Sequence, residues 1–156
     1  YYKNSSETEK AFTSDGWFRT GDLGKIDQDN YVYIMGRAKN VIVTAGGKNV
    51  YPEELEEKLN SSPFVMESLI IGAKTEKGEE PFAIIVPDFD TVDAHFGNQW
   101  TDEQLEHILK IQVENVNKQI APYKRIKGFK IREEEFPKTS TRKIKRYLYL
   151  GEEIKL

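Results

Sequence analysis

The segment Val41–Leu59, VIVTAGGKNVYPEELEEKL, carries the clearest pattern for the fold, because two strand-like runs and a helix start follow one another directly. Val41–Thr44 is rich in β-branched residues, which favour a strand. Ala45–Lys48 contains two adjacent glycines, which allow the backbone angles of a tight turn. Asn49–Tyr51 follows this turn, so the segment predicts a β-hairpin that leads into a helix.

Two helices are predicted from their start signals and their apolar spacing. The first begins at Pro52, because proline fits the first helical turn, and Leu55 and Leu59 form its buried stripe. The second begins at Thr101–Gln104, which matches a capping box. The apolar residues behind this capping box fall on one helical face, which comprises Leu105, Ile108, Leu109, Val113, Val116 and Ile120.

Three further apolar runs predict the strands of a sheet. Met66–Ala73 and Pro81–Pro87 are separated by the polar turn Lys74–Glu80, which is typical of an antiparallel pair. Lys127–Ile131 follows the second helix and returns as a third strand. Together these elements predict an α+β domain with a short hairpin and a mostly antiparallel three-stranded sheet packed with helices.

The first part of the chain predicts a separate β-rich unit. Trp17–Arg19 and Tyr31–Met35 are short strand-like runs, and the turn residues Asp27–Asn30 lie between them. Gly36–Asn40 then interrupts the apolar pattern. We therefore place a domain boundary here, with residues 1–38 on one side and 39–156 on the other.

Composition excludes several classes of protein. The 156 residues are 38% hydrophobic and 31% charged, with a formal charge of −3 that gives no reason to expect nucleic-acid binding. The absence of cysteine excludes disulfides and thiolate chemistry. His95 and His107 lack the spacing of a metal motif, so no metal site is expected. No apolar run approaches the roughly 20 residues that cross a bilayer.

Two charged residues follow glycines at predicted strand ends, and each allows two interpretations. Asp22 could accept hydrogen bonds from the two hydroxyls of a ribose, or close an Asx-turn on its own backbone. Arg37 could hold a phosphate or ribose through its planar guanidinium, or form an exposed salt bridge. The residues alone favour the structural interpretation in both cases.

The glycine pair and a basic segment are similarly ambiguous. Gly46 and Gly47 could let the backbone approach a narrow cofactor chain, or simply form the hairpin turn. Lys138–Arg146 contains enough cations to hold a phosphate, an anionic lipid or a nucleic-acid backbone, or to form a solvated face. No aromatic residue interrupts these cations, which weakens an interpretation as a single-stranded nucleic-acid site.

Read in order, three segments resemble the signatures of the adenylate-forming superfamily, which includes acyl-CoA synthetases, adenylation domains of peptide synthetases and firefly-type luciferases. The first is Gly16–Gly24, GWFRTGDLG. The second comprises Gly36–Lys39, Gly46-Gly47 and Tyr51–Glu56, and the third is Phe136–Ile144, FPKTSTRKI. The resemblance covers almost the whole chain. It implies that residues 1–38 are the trailing β segment of a large N-terminal domain and that residues 39–156 form the mobile C-terminal domain.

The resemblance also implies roles for individual residues. Asp22 would bind the ribose hydroxyls of ATP or AMP, and Arg37 would contact the same ribose and phosphate. Lys143 would be the catalytic lysine that reaches the α-phosphate and the carboxylate during adenylation. Lys39 would be the hinge between the two half-reactions.

A second group of implied roles concerns coenzyme A. Gly46 and Gly47 would line the tunnel of the pantetheine arm, and Lys48 would assist with the phosphates of coenzyme A. One residue departs from the superfamily pattern, since most members have glycine before the catalytic lysine and this chain has Arg142. The Arg-Lys-Ile form resembles the long-chain fatty acyl branch.

The implied reaction converts a fatty acid, ATP and coenzyme A to an acyl-CoA through an acyl-AMP intermediate, with Mg²⁺ accompanying ATP. The expected partner is an N-terminal domain of the same polypeptide, and this chain alone should be inactive. The expected location is the cytoplasm, with peripheral contact at the inner face of the membrane. Two alternatives stay open: an adenylation domain that loads a carrier protein, and a noncatalytic docking domain of the same fold.

Overall fold

The computed structural model describes residues 1–76, 78–97 and 99–150, which divide into two compact units, Tyr1–Lys39 and a second unit that begins at Asn40. The helices are α1 Ser5–Lys10, α2 Pro52–Asn60, α3 Phe89–Phe96 and α4 Asp102–Lys118. The strands are β1 Asp22–Ile26, β2 Val32–Arg37, β3 Ile42–Val43, β4 Asn49–Val50, β5 Val65–Thr75, β6 Gly78–Pro87 and β7 Gly128–Ile131. Three 3₁₀ turns span Ala38–Asn40, Pro122–Lys124 and Arg146–Leu148.

The first unit is built around the antiparallel pair β1–β2. The turn between these strands is held by Asp27, whose Oδ1 accepts the N–H groups of Asp29 and Tyr31, both at 2.9 Å. The Tyr33 hydroxyl donates to Oδ2 of the same carboxylate at 2.9 Å. These hydrogen bonds, led by that from Tyr31, lower the pKa of Asp27 below its ordinary value.

The predicted position of the first strand in this unit is wrong. Trp17–Arg19 carries only an isolated bridge between Phe12 and Phe18, and the partner of β2 is Asp22–Ile26 instead. The residues of β1 are almost all exposed in this unit, so no alternating apolar pattern marks them. The pairing follows from the turn at Asp27, which brings Ile26 opposite Val32.

The second unit contains the predicted hairpin and three-stranded sheet, so both are confirmed. β3 and β4 pair antiparallel, and the sheet has the order β5-β6-β7. β5 and β6 are antiparallel, whereas β7 runs parallel to β6, with Ile84 opposite both Leu69 and Lys130. The parallel pairing is possible because α3 and α4 form a long crossover between these strands.

The sheet buries both of its faces, each against a different set of residues. Alternate residues of β5 point to opposite sides, so Ile70 belongs to one apolar cluster while Leu69 and Ile71 belong to the other. The larger cluster contains the apolar faces of both predicted helices, including the fully buried Leu55 and Leu59. The smaller cluster consists of Leu69, Ile71, Ala73, Phe82, Ile84, Val86, Phe136 and Tyr149.

Both predicted helix starts are confirmed. Pro52 is the first residue of α2, and the Thr101 and Gln104 side chains form the reciprocal capping box of α4. α3 was not predicted; it is capped by Asp88, whose side chain accepts the Thr91 N–H at 2.8 Å. No helix in the described part of the chain is long and apolar enough to span a membrane.

Candidate active site

In the first unit, the two predicted nucleotide-binding residues lie directly opposite each other on β1 and β2. Arg37 Nε is 2.9 Å from Asp22 Oδ1, and Arg37 Nη1 donates to the Thr20 carbonyl oxygen at 2.8 Å. The Asp22 N–H donates to Thr20 Oγ1 at 3.1 Å. The carboxylate and the guanidinium are therefore held side by side at one end of the β1–β2 pair.

The contacts of Asp22 and Arg37 test the structural alternatives to nucleotide binding, an Asx-turn at Asp22 and a salt bridge at Arg37. The Asp22 side chain contacts Arg37 and makes no Asx-turn, so that alternative is wrong. The expected salt bridge of Arg37 is present, with both side chains partly exposed. Within the described ranges, no hydrogen bond reaches Asp22 Oδ2, which leaves an acceptor beside a fixed cation. Such a pair has the donors and acceptors for a ribose and its phosphate.

The two glycines in the turn between β3 and β4 have different backbone conformations. Gly47 has φ +68°, which L-residues adopt rarely, and its N–H donates to the Thr44 carbonyl oxygen at 2.8 Å. Gly46 has no positive φ, and a Cβ built on it would meet no atom within 4 Å. The turn therefore needs glycine at position 47 but not at position 46. Lys48 is exposed, and its carbonyl oxygen accepts the Thr44 N–H at 3.0 Å.

The predicted hinge residue lies where the two units meet in the sequence. Lys39 is the last residue of the first unit and the middle residue of the 3₁₀ turn Ala38–Asn40. Its side chain is exposed. Asn40 belongs to the second unit, where its Nδ2 donates to Glu53 Oε1 on α2 at 2.7 Å.

In the second unit, Lys143 lies in a tight turn of residues 136–146, the Lys143 turn, which is closed by backbone hydrogen bonds. The Thr139 N–H donates to the Lys143 carbonyl oxygen at 2.8 Å, and the Lys143 N–H donates to Thr139 Oγ1 at 3.2 Å. The Lys143 side chain is exposed, and no described residue forms an ion pair or hydrogen bond with its Nζ. The turn thus presents an unpaired ammonium group on an ordered backbone.

Arg142 has φ +61°, so the residue before Lys143 occupies the left-handed region. Its N–H donates to the Thr139 carbonyl oxygen at 2.9 Å, which fixes this conformation. Glycine adopts the left-handed region without the Cβ penalty that other residues incur. A glycine at this position would avoid that penalty, so Arg142 is a strained residue.

The start of the Lys143 turn is held by Glu67 on β5. Glu67 Oε1 accepts the Phe136 N–H at 2.8 Å, and Oε2 lies 3.0 Å from Lys138 Nζ. Lys138 Nζ also lies 2.7 Å from Glu135, and this hydrogen bond lowers the pKa of Glu135 and raises that of Lys138. Phe136 itself is buried and packs edge-to-face on Tyr149, with ring centroids 5.3 Å apart.

The end of the turn is held by Arg146, which enters the domain between α2 and β5. Its Nη2 donates to both carboxylate oxygens of Glu56, at 2.7 and 2.8 Å, and its Nη1 donates to the Ile70 carbonyl oxygen at 2.6 Å. Glu56 Oε1 also accepts the Ile70 N–H at 2.7 Å. Burial raises the pKa of Glu56 above its usual value, while the Arg146 guanidinium and the Ile70 N–H act against that rise.

The basic segment therefore contains two kinds of cation. Lys138 and Arg146 are neutralised by carboxylates of the domain, whereas Arg142, Lys143 and Lys145 have no ion pair with a described residue. The sequence interpretation treated all five alike. Among the described residues, no group of three or more His, Cys, Asp or Glu side chains is placed to hold a metal ion.

Residues 54–143 match the family model of the AMP-binding enzyme C-terminal domain. The chain belongs to this family. The match begins in α2 and ends at Lys143, so it covers the three-stranded sheet, α3, α4 and most of α2. The resemblance of the sequence motifs to the adenylate-forming superfamily is thereby confirmed.

Two relatives of this AMP-binding enzyme C-terminal domain are CoA ligases that act on different substrates. The long-chain-fatty-acid–CoA ligase FadD15 of Mycobacterium tuberculosis is 35% identical over 164 residues, covering 94% of this chain and 26% of the ligase. The sulfoacetate–CoA ligase of Cupriavidus necator is 47% identical over 87 residues, covering 55% of this chain and 17% of that ligase.

A solved structure also resembles this chain in both fold and sequence. The crystal structure of ATP-bound MatB from Rhodopseudomonas palustris matches with a TM-score of 0.68 and 32% identity, covering 96% of this chain and 27% of MatB. The chain thus spans about a quarter of the length of FadD15 and of MatB.

Proposed function

We propose that this chain is the C-terminal part of an AMP-forming acyl-CoA synthetase whose N-terminal domain precedes it in the same polypeptide. The observation that carries the proposal is Lys143, an exposed and unpaired lysine on an ordered turn of an AMP-binding enzyme C-terminal domain. An ammonium group in this position can approach a substrate bound on another domain. Residues 1–38 are then the trailing β segment of that N-terminal domain, and 39–156 the C-terminal domain.

The first half-reaction transfers AMP to a carboxylate. A carboxylate oxygen attacks the α-phosphorus of ATP, the bond to the bridging oxygen breaks, and pyrophosphate leaves. Lys143 offsets the negative charge that develops on the transferring group. Asp22 accepts from the ribose hydroxyls, and Arg37 contacts the ribose and phosphate. Mg²⁺ would enter with ATP as part of the substrate.

The second half-reaction transfers the acyl group to coenzyme A. The thiol loses its proton and attacks the acyl carbonyl carbon, and AMP leaves. Gly46 and Gly47 line the path of the pantetheine arm, and Lys48 contacts the phosphates of coenzyme A. Lys39 is the hinge whose backbone rotation changes which of these residues faces the substrate, in line with its position as the last residue of the first unit.

The substrate class of the proposal is a long-chain fatty acid. The similarity to FadD15 over 94% of the chain supports it, and so does the Arg142-Lys143-Ile144 form of the last motif. The similarity to a sulfoacetate–CoA ligase makes short polar acids the main competing class. ATP and coenzyme A are both available in the cytoplasm, which is the proposed location, with peripheral contact at the inner membrane face.

The first test is pyrophosphate release by the full-length protein that carries this chain. The assay uses ATP, Mg²⁺ and a panel of fatty acids, aromatic acids and sulfoacetate, with and without coenzyme A. Release that depends on a long-chain acid, with an acyl-CoA product, supports the proposal. Product formation only on a carrier protein would favour the carrier-loading alternative, and no release with any acid would favour the docking domain.

A second test assigns Lys143 to one half-reaction. Lys143→Ala should slow acyl-adenylate formation about 10²- to 10³-fold, the usual effect of removing a group that stabilises transition-state charge. Thioester formation from supplied acyl-adenylate should stay near the wild-type rate. Lys110→Ala is the matched control, because Lys110 is an exposed lysine of α4. Equal losses in the two steps would contradict this assignment.

A further inference from the structure

We propose that Glu67, together with the pair Glu56–Arg146, positions Lys143 for adenylation by fixing the two ends of its turn. These residues are bonded to other residues of the domain and act through Lys143, so they are positioning residues and not catalytic ones. The inference deepens the proposed function and rests on it, because it concerns the residues that hold the adenylating lysine.

The first anchor is Glu67, which contacts Phe136 and Lys138, seven and five residues before Lys143. Glu67 lies on β5, and its side chain is only 13% exposed. One oxygen accepts the Phe136 N–H and the other contacts Lys138, so both acceptor positions face the incoming segment. A single carboxylate thereby fixes the backbone and a side chain at the start of the turn.

The second anchor acts three residues after Lys143. The Arg146 and Glu56 side chains are 15% and 14% exposed, and Arg146 makes three hydrogen bonds of 2.8 Å or less. The planar guanidinium contacts the carboxylate and the Ile70 carbonyl oxygen together, which a lysine cannot do with the same geometry. The end of the turn is therefore fixed to α2 and to β5 at once.

Stability alone does not account for these buried charges. A buried ion pair gains little net free energy, because desolvation of both groups offsets their attraction, and apolar residues of similar size often stabilise equally well. What the charged pairs add is directional geometry at the two ends of an exposed turn. A displacement of about 1 Å at a reacting group can slow a reaction about 10²-fold, so this geometry bears directly on Lys143.

The experiment uses the full-length protein with three variants: Glu67→Gln, Arg146→Lys and Arg146→Ala. Each half-reaction is measured separately, with KM for ATP, and amide hydrogen exchange is followed in residues 136–150. We expect kcat for adenylation to fall about 10- to 100-fold with KM for ATP changed less than about twofold. Thioester formation from supplied acyl-adenylate should be unchanged, and Arg146→Lys should retain more activity than Arg146→Ala.

Exchange at the Thr139, Arg142 and Lys145 amides should become faster in the same variants, because these amides close the turn. Glu54→Gln is the matched control. Glu54 also lies on α2 and pairs with a lysine, Lys124, at 2.6 Å, but does not contact the turn. It should change neither quantity.

Two results would overturn the positioning role. One is an equal loss of both half-reactions, which indicates general damage to the domain; the other is an unchanged adenylation rate despite faster exchange in the turn. If the wild-type protein itself releases no pyrophosphate with any acid, the proposed function fails and the positioning role fails with it. With an active wild type, equal loss of both steps or an unchanged adenylation rate, whether or not exchange in the turn becomes faster, would refute the positioning role alone.

Discussion

Gly46 and Gly47 are adjacent in one turn, yet replacing each with alanine should have opposite consequences. Gly46 has no positive φ, and an added Cβ would meet nothing within 4 Å in the domain. Gly46→Ala should therefore stabilise the chain by about 0.4–1 kcal/mol, because alanine restricts the unfolded chain more than glycine does. Gly47 has φ +68°, so Gly47→Ala should destabilise the chain by roughly 1–2 kcal/mol.

Although Gly46→Ala should stabilise the chain, it should slow thioester formation. If Gly46 borders the path of the pantetheine arm, its new methyl group occupies space that the arm needs. Overpacking by a methyl group costs about 1–3 kcal/mol, which corresponds to a roughly 5- to 150-fold slower thioester step. Adenylation, which does not use coenzyme A, should keep its wild-type rate.

Urea unfolding of the chain measures the stability of both variants, and thioester formation from supplied acyl-adenylate measures the function of the full-length protein. A Gly46→Ala variant that is more stable and transfers the acyl group at the wild-type rate would refute the tunnel role. A Gly46→Ala variant that unfolds more readily than wild type would refute the structural argument, because the turn would then need glycine at both positions.

Three further predictions concern the turns and the core. Arg142→Gly should stabilise the chain by roughly 0.5–1 kcal/mol, because glycine relieves the strain of the left-handed backbone. Arg142→Ala is the control, since it removes the same charge without relieving that strain. Equal urea unfolding midpoints for the two variants would contradict this prediction. Asp27 has a lowered pKa, so its carboxylate stabilises the first unit above about pH 4 and loses that effect as the pH falls further. The protection factor of the Tyr31 amide, which is the intrinsic exchange rate divided by the measured one, should fall in that range, and Asp27→Asn should abolish this fall. Phe136→Ala should cost about 3–5 kcal/mol and speed amide exchange in the Lys143 turn, because the ring is buried against Tyr149.

The elements that could be predicted are those whose signals are local. Pro52 and the Thr101 capping box mark helix starts within four residues of sequence, and the apolar spacing behind them gives the buried faces. The β3–β4 hairpin was predictable because its turn and strands are contiguous. By contrast, β1 is almost all exposed in the first unit, so nothing but its pairing with β2 identifies it as a strand.

The candidate site divides in the same way. Asp22, Arg37 and Lys143 were proposed because each lies in a motif that resembles a known family, and the structure adds that Asp22 and Arg37 contact each other. Their binding and catalytic roles stay predictions. The strain at Arg142 could not be predicted, since the sequence shows that glycine is replaced but not that the backbone there has φ +61°.

The anchors of the Lys143 turn were missed because their partners are far apart in sequence. Arg146 lies 90 residues from Glu56, and Phe136 lies 69 residues from Glu67. One signal was nevertheless available. Glu67 shares the buried face of β5 with Leu69, and a carboxylate on such a face requires a partner because an unpaired buried charge is strongly unfavourable. Two segments with five cations in nine residues, Lys124–Arg132 and Lys138–Arg146, were candidate sources of that partner.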